Sequence, residues 1–157
     1  MSQEPQLFPE LPGVIAAGFY RGLEGWISEG RIEAGGRAGG LCLAHGAGVV
    51  ESTRVATGLT DGWYTLRVWV KTNLTRRAVS IAISSGGVET RTFIPVAPDQ
   101  WIQGVVSARV TDQQCTIHLK SDAAEGETVY FGAVELVPGR AVLSMLGADI
   151  SSLKKSE

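Results

Sequence analysis

The stretch "DGWYTLRVWVKT", residues 61–72, is the clearest strand in the sequence. Successive side chains of a strand point to opposite faces, so residues two apart share a face. One face holds the mostly apolar set Tyr64, Leu66, Val68 and Val70. The opposite face holds Trp63, Thr65, Arg67, Trp69 and Lys71. The stretch therefore predicts a strand that buries one face and presents two indoles and two cations on the other.

Short runs of the same kind lie on both sides of this strand. Each is bounded by Gly, Pro, Asp or Asn, and no long stretch before Ala141 has the period of a helix. The runs cover residues 40–45, 48–59, 78–84, 89–96, 101–110, 115–121 and 129–137. Regular short strands with turn residues between them predict an all-β fold, an antiparallel β-sandwich or jelly roll.

Composition excludes several classes of protein. The net charge is −2, and no basic run exceeds two residues, so nothing indicates nucleic-acid binding. No window approaches 18 consecutive apolar residues, which argues against a transmembrane helix. The two cysteines, Cys42 and Cys115, lie in strand-like runs and are interpreted as buried free thiols, although a disulfide stays open.

The end of the chain reads differently from the rest. After an apolar segment from Ala141, the sequence reaches Gly147 and then "SSLKKSE", where Ser151 or Ser152 is a candidate helix N-cap. A strand, a short turn and a helix start are how an α/β unit opens. We expect a tail at residues 1–12, a β-sandwich at 13–140, and the start of a truncated downstream (β/α) barrel at 141–157.

Five stretches, in this order, resemble a known family. They are "AGFYRGLEGW" (17–26), "GLTDGWYTLRVWVKT" (58–72), "DQWIQG" (99–104), "SDAAEGETVYFGAVELV" (121–137) and "LGADISSLKKSE" (146–157). The first four resemble galactose-binding-like jelly-roll modules similar to carbohydrate-binding family 61. The last resembles the first strand and turn of arabinogalactan endo-β-1,4-galactanases of glycoside hydrolase family 53.

The resemblance implies a function for the chain. It implies a non-catalytic module that targets a galactanase to β-1,4-galactan or a related galactose-containing plant polysaccharide. The catalytic carboxylates would lie downstream in the same chain, and the parent protein would be secreted or cell-surface. An alternative is a structural module that packs on the barrel without binding sugar. An enzyme in its own right is the weakest hypothesis, because no paired-carboxylate or triad pattern stands out.

Two sets of residues are candidates for sugar binding, which needs an aromatic platform and polar groups around it. The outer face of the quoted strand supplies Trp63, Arg67, Trp69 and Lys71. For Trp69, cover by another strand or a terminal segment is an equal alternative, whereas Trp63 beside a turn is expected to be exposed. The second set is His118, Lys120 and Asp122. The resemblance places an asparagine and a tryptophan where this chain has Glu127 and Thr128, so one expected platform is missing.

Other residues are interpreted as structural. Trp26 and Trp101 follow turns and are predicted to pack in the core. The segment at residues 84–91 is read as a hairpin turn on Gly86-Gly87 in preference to a ligand contact.

We predict no metal site and no cofactor. The resemblance includes a structural Ca²⁺ held by a glutamate and aspartates. Here Tyr20 stands at the glutamate position and Gly132-Ala133 at the aspartate positions. Calcium needs anionic oxygen ligands, so both ends of that site are lost. Two histidines, His45 and His118, are too few and too scattered to argue for a catalytic metal.

Overall fold

The protein is a β-sandwich of two antiparallel sheets, as the sequence predicts. The computed structural model describes residues 15–17, 19, 23, 25–36, 40–73, 78–95 and 97–140, and the predictions for residues 1–12 and 141–157 lie outside them. Every regular element in these ranges is a strand. The strands are β1 (Ile15–Ala17), β2 (Trp26–Ile27), β3 (Arg31–Glu33), β4 (Cys42–His45), β5 (Gly48–Thr57), β6 (Gly62–Thr72), β7 (Val79–Ser85), β8 (Val88–Phe93), β9 (Ile102–Val110), β10 (Gln114–Ala123) and β11 (Val129–Pro138).

The strands divide into two sheets. Sheet A has the order β3-β4-β11-β6-β9, and β1 also pairs with β11. Sheet B has the order β2-β5-β10-β7-β8. The described residues include no helix that is long and apolar enough to cross a membrane.

Alternation along the central strands builds the core between the sheets. In β6 the residues Leu66, Val68 and Val70 are fully buried and Tyr64 is 5% exposed, which confirms the predicted inner face. In β10 the inward residues Ile117 and Leu119 meet them from sheet B. Sheet packing removes these apolar side chains from water, which is the main favourable contribution to folding.

Turns with residues of positive φ connect strands both within a sheet and between the two sheets. Gly86 and Gly87 join β7 to β8, with φ values of 60° and 82°. A type I′ turn requires positive φ at both positions, and glycine adopts it without steric cost. The hairpin interpretation of residues 84–91 is therefore confirmed. Asp112 and Gln113 lie in the turn that carries the chain from β9 of sheet A to β10 of sheet B, with φ values of 58° and 61°.

Strand β11 contains an irregularity that shapes the outer surface of sheet A. Its register with β6 shifts between Phe131 and Val134, so Gly132 and Ala133 together lie opposite Trp69. Two residues against one is the geometry of a β-bulge. A side chain on Gly132 would lie 3.1 Å from the Trp101 ring, so the glycine leaves room for that indole.

His45 is a polar group in the otherwise apolar interior. Its Nε2 lies 2.7 Å from Ser52 Oγ and its Nδ1 lies 2.8 Å from Ser121 Oγ, so β4 of sheet A is joined to β5 and β10 of sheet B. Ser52 Oγ continues to Ser28 Oγ at 2.5 Å. Burial lowers the pKa of His45 to about 4, because the interior disfavours the charged imidazolium.

Both cysteines are buried free thiols, as expected. Burial raises the pKa of Cys115 to about 11, so its thiol stays protonated and unreactive. Trp26 is 9% exposed and belongs to the core, which confirms its predicted place.

Candidate functional site

The predicted site residues lie on opposite sides of the sandwich. Trp63, Arg67, Trp69 and Lys71 point outward from sheet A, whereas His118, Lys120 and Asp122 point outward from sheet B. The two sheets pack through their inner faces, so their outer side chains point away from each other. The two candidate sets are therefore two separate surfaces, and one saccharide cannot contact both. We call the two outer surfaces the sheet A face and the sheet B face.

Trp63 lies at the end of the sheet A face where β6 begins. The guanidinium carbon of Arg140 lies 4.5 Å above its ring centroid, and that of Arg109 lies at 5.8 Å. Trp63 is only half-buried, but a cation already covers part of its aromatic surface. Trp63 is therefore less open to solvent than the sequence predicts.

Trp69 lies at the other end of β6. It is six positions further along the strand than Trp63, which corresponds to about 20 Å, so one sugar ring cannot contact both. Trp69 and Trp101 both border Gly132, and Lys71 Nζ lies 6.0 Å from the Trp101 ring centroid. Trp101 is half-buried on this outer face, so its predicted place in the core is wrong. Gly132 in the β-bulge has no side chain, which leaves space for the Trp101 ring. Trp69 is itself half-buried.

The middle of the sheet A face is occupied by internal contacts. Arg67 Nη2 lies 2.9 Å from Glu135 Oε1, directly across the β6–β11 pair. Thr65 is fully buried, and its hydroxyl donates to the Gly139 carbonyl at 2.7 Å while Ser107 Oγ lies 2.7 Å away. The side chains of this face therefore bind one another.

The sheet B face contains an open cavity, which we call the sheet B groove. Its volume is about 380 Å³, and its lining residues are Val49, Ala78, Ser80, Arg91, Phe93, Lys120, Ser121 and Asp122. Phe93 is 50% exposed, and Lys120 and Asp122 are both exposed beside it. An exposed aromatic ring with charged groups around it is the arrangement that sugar binding needs.

Polar side chains next to the groove are held by hydrogen bonds to one another. His118 Nδ1 lies 3.0 Å from Glu51 Oε2, and His118 Nε2 lies 2.8 Å from Ser84 Oγ. Arg91 donates from Nη1 to Ser80 Oγ at 2.7 Å and from Nε to Glu89 Oε2 at 2.8 Å. The hydrogen bond from Arg91 is the largest of the effects that lower the pKa of Glu89. These contacts hold the Arg91 guanidinium in place at the groove wall.

Two smaller depressions lie on the same face. One, of about 360 Å³, includes Val55, Ser84, Gly86 and Thr116 in its lining. The other, of about 280 Å³, is lined by Ile27, Ser28, Glu29 and Glu51. The sheet B face is therefore recessed at several places along the sheet.

Sequence reasoning found two residues of the groove and missed the aromatic one. Lys120 and Asp122, both candidate ligand-binding residues, line the groove. His118 lies on the same face of β10, two residues before Lys120. Phe93 was missed because the run at residues 89–96 was not divided into faces. Alternation would have found it, since Phe93 shares a strand face with the charged residues Glu89 and Arg91.

The described residues place no group of three or more His, Cys, Asp or Glu side chains where they could hold a metal ion. Gly132 and Ala133 form the β-bulge, and neither supplies a side-chain oxygen. Tyr20, the other position considered for calcium, lies outside the described residues.

The fold belongs to a well-populated class of solved structures. No family model matches the chain, and no curated protein matches its sequence. Several carbohydrate-binding modules match it in structure at 11–17% sequence identity, so the likeness shows a shared jelly-roll fold.

Three of these structures hold different oligosaccharides. TmCBM61 with β-1,4-galactotriose has a TM-score of 0.64 and 16% identity, covering 78% of this chain and 94% of that one. The CBM22-1–GH10 modules of Clostridium thermocellum xylanase 10B with xylohexaose have a TM-score of 0.60 and 17% identity, covering 82% of this chain and 29% of that one. The Cellvibrio mixtus lichenase 5A module CBM6cm-2 with cellotriose has a TM-score of 0.57 and 11% identity, covering 83% of this chain and 99% of that one.

Proposed function

We propose that residues 13–140 are a non-catalytic carbohydrate-binding module and that its saccharide binds in the sheet B groove. The observation that carries the proposal is the half-exposed ring of Phe93 beside Lys120 and Asp122 in an open cavity. The fold shared with carbohydrate-binding modules supports the class.

The groove offers both kinds of contact that a pyranose needs. A sugar ring has a face of C–H groups, which packs on an aromatic ring, and a rim of hydroxyls, which need hydrogen bonds. Phe93 supplies the first contact. Lys120 donates hydrogen bonds and Asp122 accepts them, while Arg91 is already oriented by Ser80 and Glu89. Preorganised groups lose little entropy on binding.

We propose β-1,4-galactan, or a related galactose-containing plant polysaccharide, as the ligand. The motif resemblance supports it, and so does the structural match to a module that holds β-1,4-galactotriose. In this proposal the module tethers a secreted or cell-surface galactanase, whose barrel would begin within residues 141–157. A shallow site of this kind binds on the order of 10–100 μM, and tethering raises the effective substrate concentration.

The carboxylates of this face suit binding better than catalysis. Hydrolysis of a glycosidic bond normally needs a carboxylic acid whose pKa is raised so that it can donate a proton. Glu89 has the opposite shift, because Arg91 stabilises its charged form. Glu51 is held by His118.

Affinity electrophoresis and calorimetry test the proposal. We expect the wild-type protein to be retarded in gels that contain galactan. Phe93→Ala should weaken binding about tenfold, roughly 1.4 kcal/mol, because the stacking contact is lost. Val88→Ala is the matched control, since Val88 is a 65% exposed apolar residue at the other end of β8.

Free migration of the wild-type protein in galactan, arabinogalactan and xylan would contradict the proposal. That result would favour the alternative function, a structural module that packs on the catalytic barrel without binding sugar.

A further inference from the structure

The sheet A face carries two cations on one indole at the start of β6. Arg109 lies directly across the β6–β9 pair from Trp63, with its guanidinium carbon 5.8 Å from the ring centroid. Arg140 reaches the same ring at 4.5 Å, because the chain leaving β11 turns beside Trp63 and the Gly139 N–H donates to the Trp63 carbonyl at 2.7 Å. Both arginines are exposed. The strand pairing and the turn after β11 therefore bring two guanidinium groups to the same indole.

Among the described residues, these two arginines lack the glutamate partner that three other arginines have. Arg31, Arg67 and Arg91 each form an ion pair with a glutamate. In the part of the chain that the structure describes, no ion pair of Arg109 or Arg140 is present. Asp61, near the start of β6, accepts a hydrogen bond from the Gln113 N–H at 2.8 Å. Two cations on one indole make the local potential positive, so an anion bound beside them would be stabilised.

The chemistry of the pair selects the kind of anion. A guanidinium group has a planar fork of N–H donors that matches the oxygens of a carboxylate or a sulfate. Attraction to an indole does not use those donors, and it limits the motion of the side chain before any ligand arrives. Trp63 therefore restrains both arginines while it leaves the N–H donors of each available for bidentate hydrogen bonds to an anionic group.

We propose that Trp63, Arg109 and Arg140 form a second binding site for the anionic group of an acidic glycan, either a uronic acid carboxylate or a sulfate ester. The glycan part rests on the proposed function, whereas the anion site does not. This site and the sheet B groove lie on opposite sides of the sandwich, so both can be occupied at once. A polysaccharide with neutral and acidic stretches would then be held by two contacts.

NMR titrations of the full chain with three probes test the site: an oligogalacturonate, a sulfated galactan oligosaccharide and inorganic sulfate. We expect at least one of the acidic oligosaccharides to shift the Trp63 indole N–H resonance and to bind more weakly as the salt concentration rises. The double substitution Arg109→Gln and Arg140→Gln should weaken this binding at least about tenfold. The double substitution to Lys keeps the charge and should retain part of the affinity.

Arg54→Gln is the matched control, because Arg54 also packs on an indole, 6.0 Å from the Trp26 centroid. It should leave acidic-glycan binding unchanged, and thermal unfolding should show that every variant is folded. Failure of both acidic oligosaccharides to bind, binding of sulfate alone, or equal affinity of the double Gln variant and the wild type would each overturn the proposal. Binding of galactotriose, which Phe93→Ala should weaken and the double Gln substitution should leave unchanged, reports separately on the sheet B groove.

Discussion

The two outer faces of the sandwich use their aromatic residues in different ways. On the sheet A face, Trp63, Trp69 and Trp101 are half-buried, and cations lie over two of them. On the sheet B face, the polar side chains bind one another and the ring of Phe93 stays 50% exposed. The number of indoles on a face therefore does not identify a sugar platform. What matters is whether neighbouring side chains leave an aromatic surface open.

Acid should weaken both faces together, because His45 joins the two sheets behind them. Below pH 6.5 the unfolded chain binds a proton on His45, whereas the folded protein binds it only near the lowered pKa of about 4. The free energy of unfolding should therefore fall by up to about 3 kcal/mol as the pH drops from 6.5 to about 4. Urea denaturation at both ends of this range measures the change.

A histidine control separates this effect from other titrations. His45→Gln should remove most of the pH dependence in that window, whereas His118→Gln on the surface should keep it. The interpretation of His45 fails if the His45→Gln protein loses as much stability in acid as the wild type does.

A substitution at Gly132 can fill the space that the Trp101 ring occupies without changing the sheet B face. A side chain at Gly132 would come 3.1 Å from Trp101 and 3.5 Å from the Trp69 Cβ. Gly132→Val should cost about 1–3 kcal/mol of stability through overpacking and shift the tryptophan fluorescence. Galactan affinity, measured by calorimetry, should not change. A loss of affinity in a folded Gly132→Val protein would place sugar binding on the sheet A face.

The polar side chains next to the sheet B groove should contribute less to galactan affinity than the ring of Phe93. Glu51→Gln removes the charge that faces His118 and lies 3.8 Å from Arg91 Nη2. Because Arg91 keeps Ser80 and Glu89 as partners, we expect only about a twofold loss of galactan affinity, consistent with the small effect of exposed ion pairs. Arg31→Gln, which breaks an exposed ion pair on sheet A, is the control and should have no effect on binding.

Much of the fold could be predicted from the sequence, because alternation and turn residues are local signals. The run at residues 62–72 and the Gly86-Gly87 hairpin follow directly from them. The short strands β1, β2 and β3 were not predicted, since two or three residues carry no visible period.

The site was harder to predict because it depends on contacts between distant segments. The sequence identifies which residues of β6 and β10 point outward, but it does not tell which sheet each strand joins. It also does not show that Arg140, far along the chain, packs on Trp63, or that Gly132 makes room for Trp101. Local pattern assigns a face, and only the strand order assigns its neighbours.

The most direct test of the account is a ¹⁵N NMR titration of the wild-type protein with β-1,4-galactotriose. Amide resonances of Ser80, Arg91, Phe93 and Lys120 around the sheet B groove should shift, and the indole N–H resonances of Trp63, Trp69 and Trp101 should stay in place. Shifts confined to those three indoles, with the groove amides unmoved, would contradict the account.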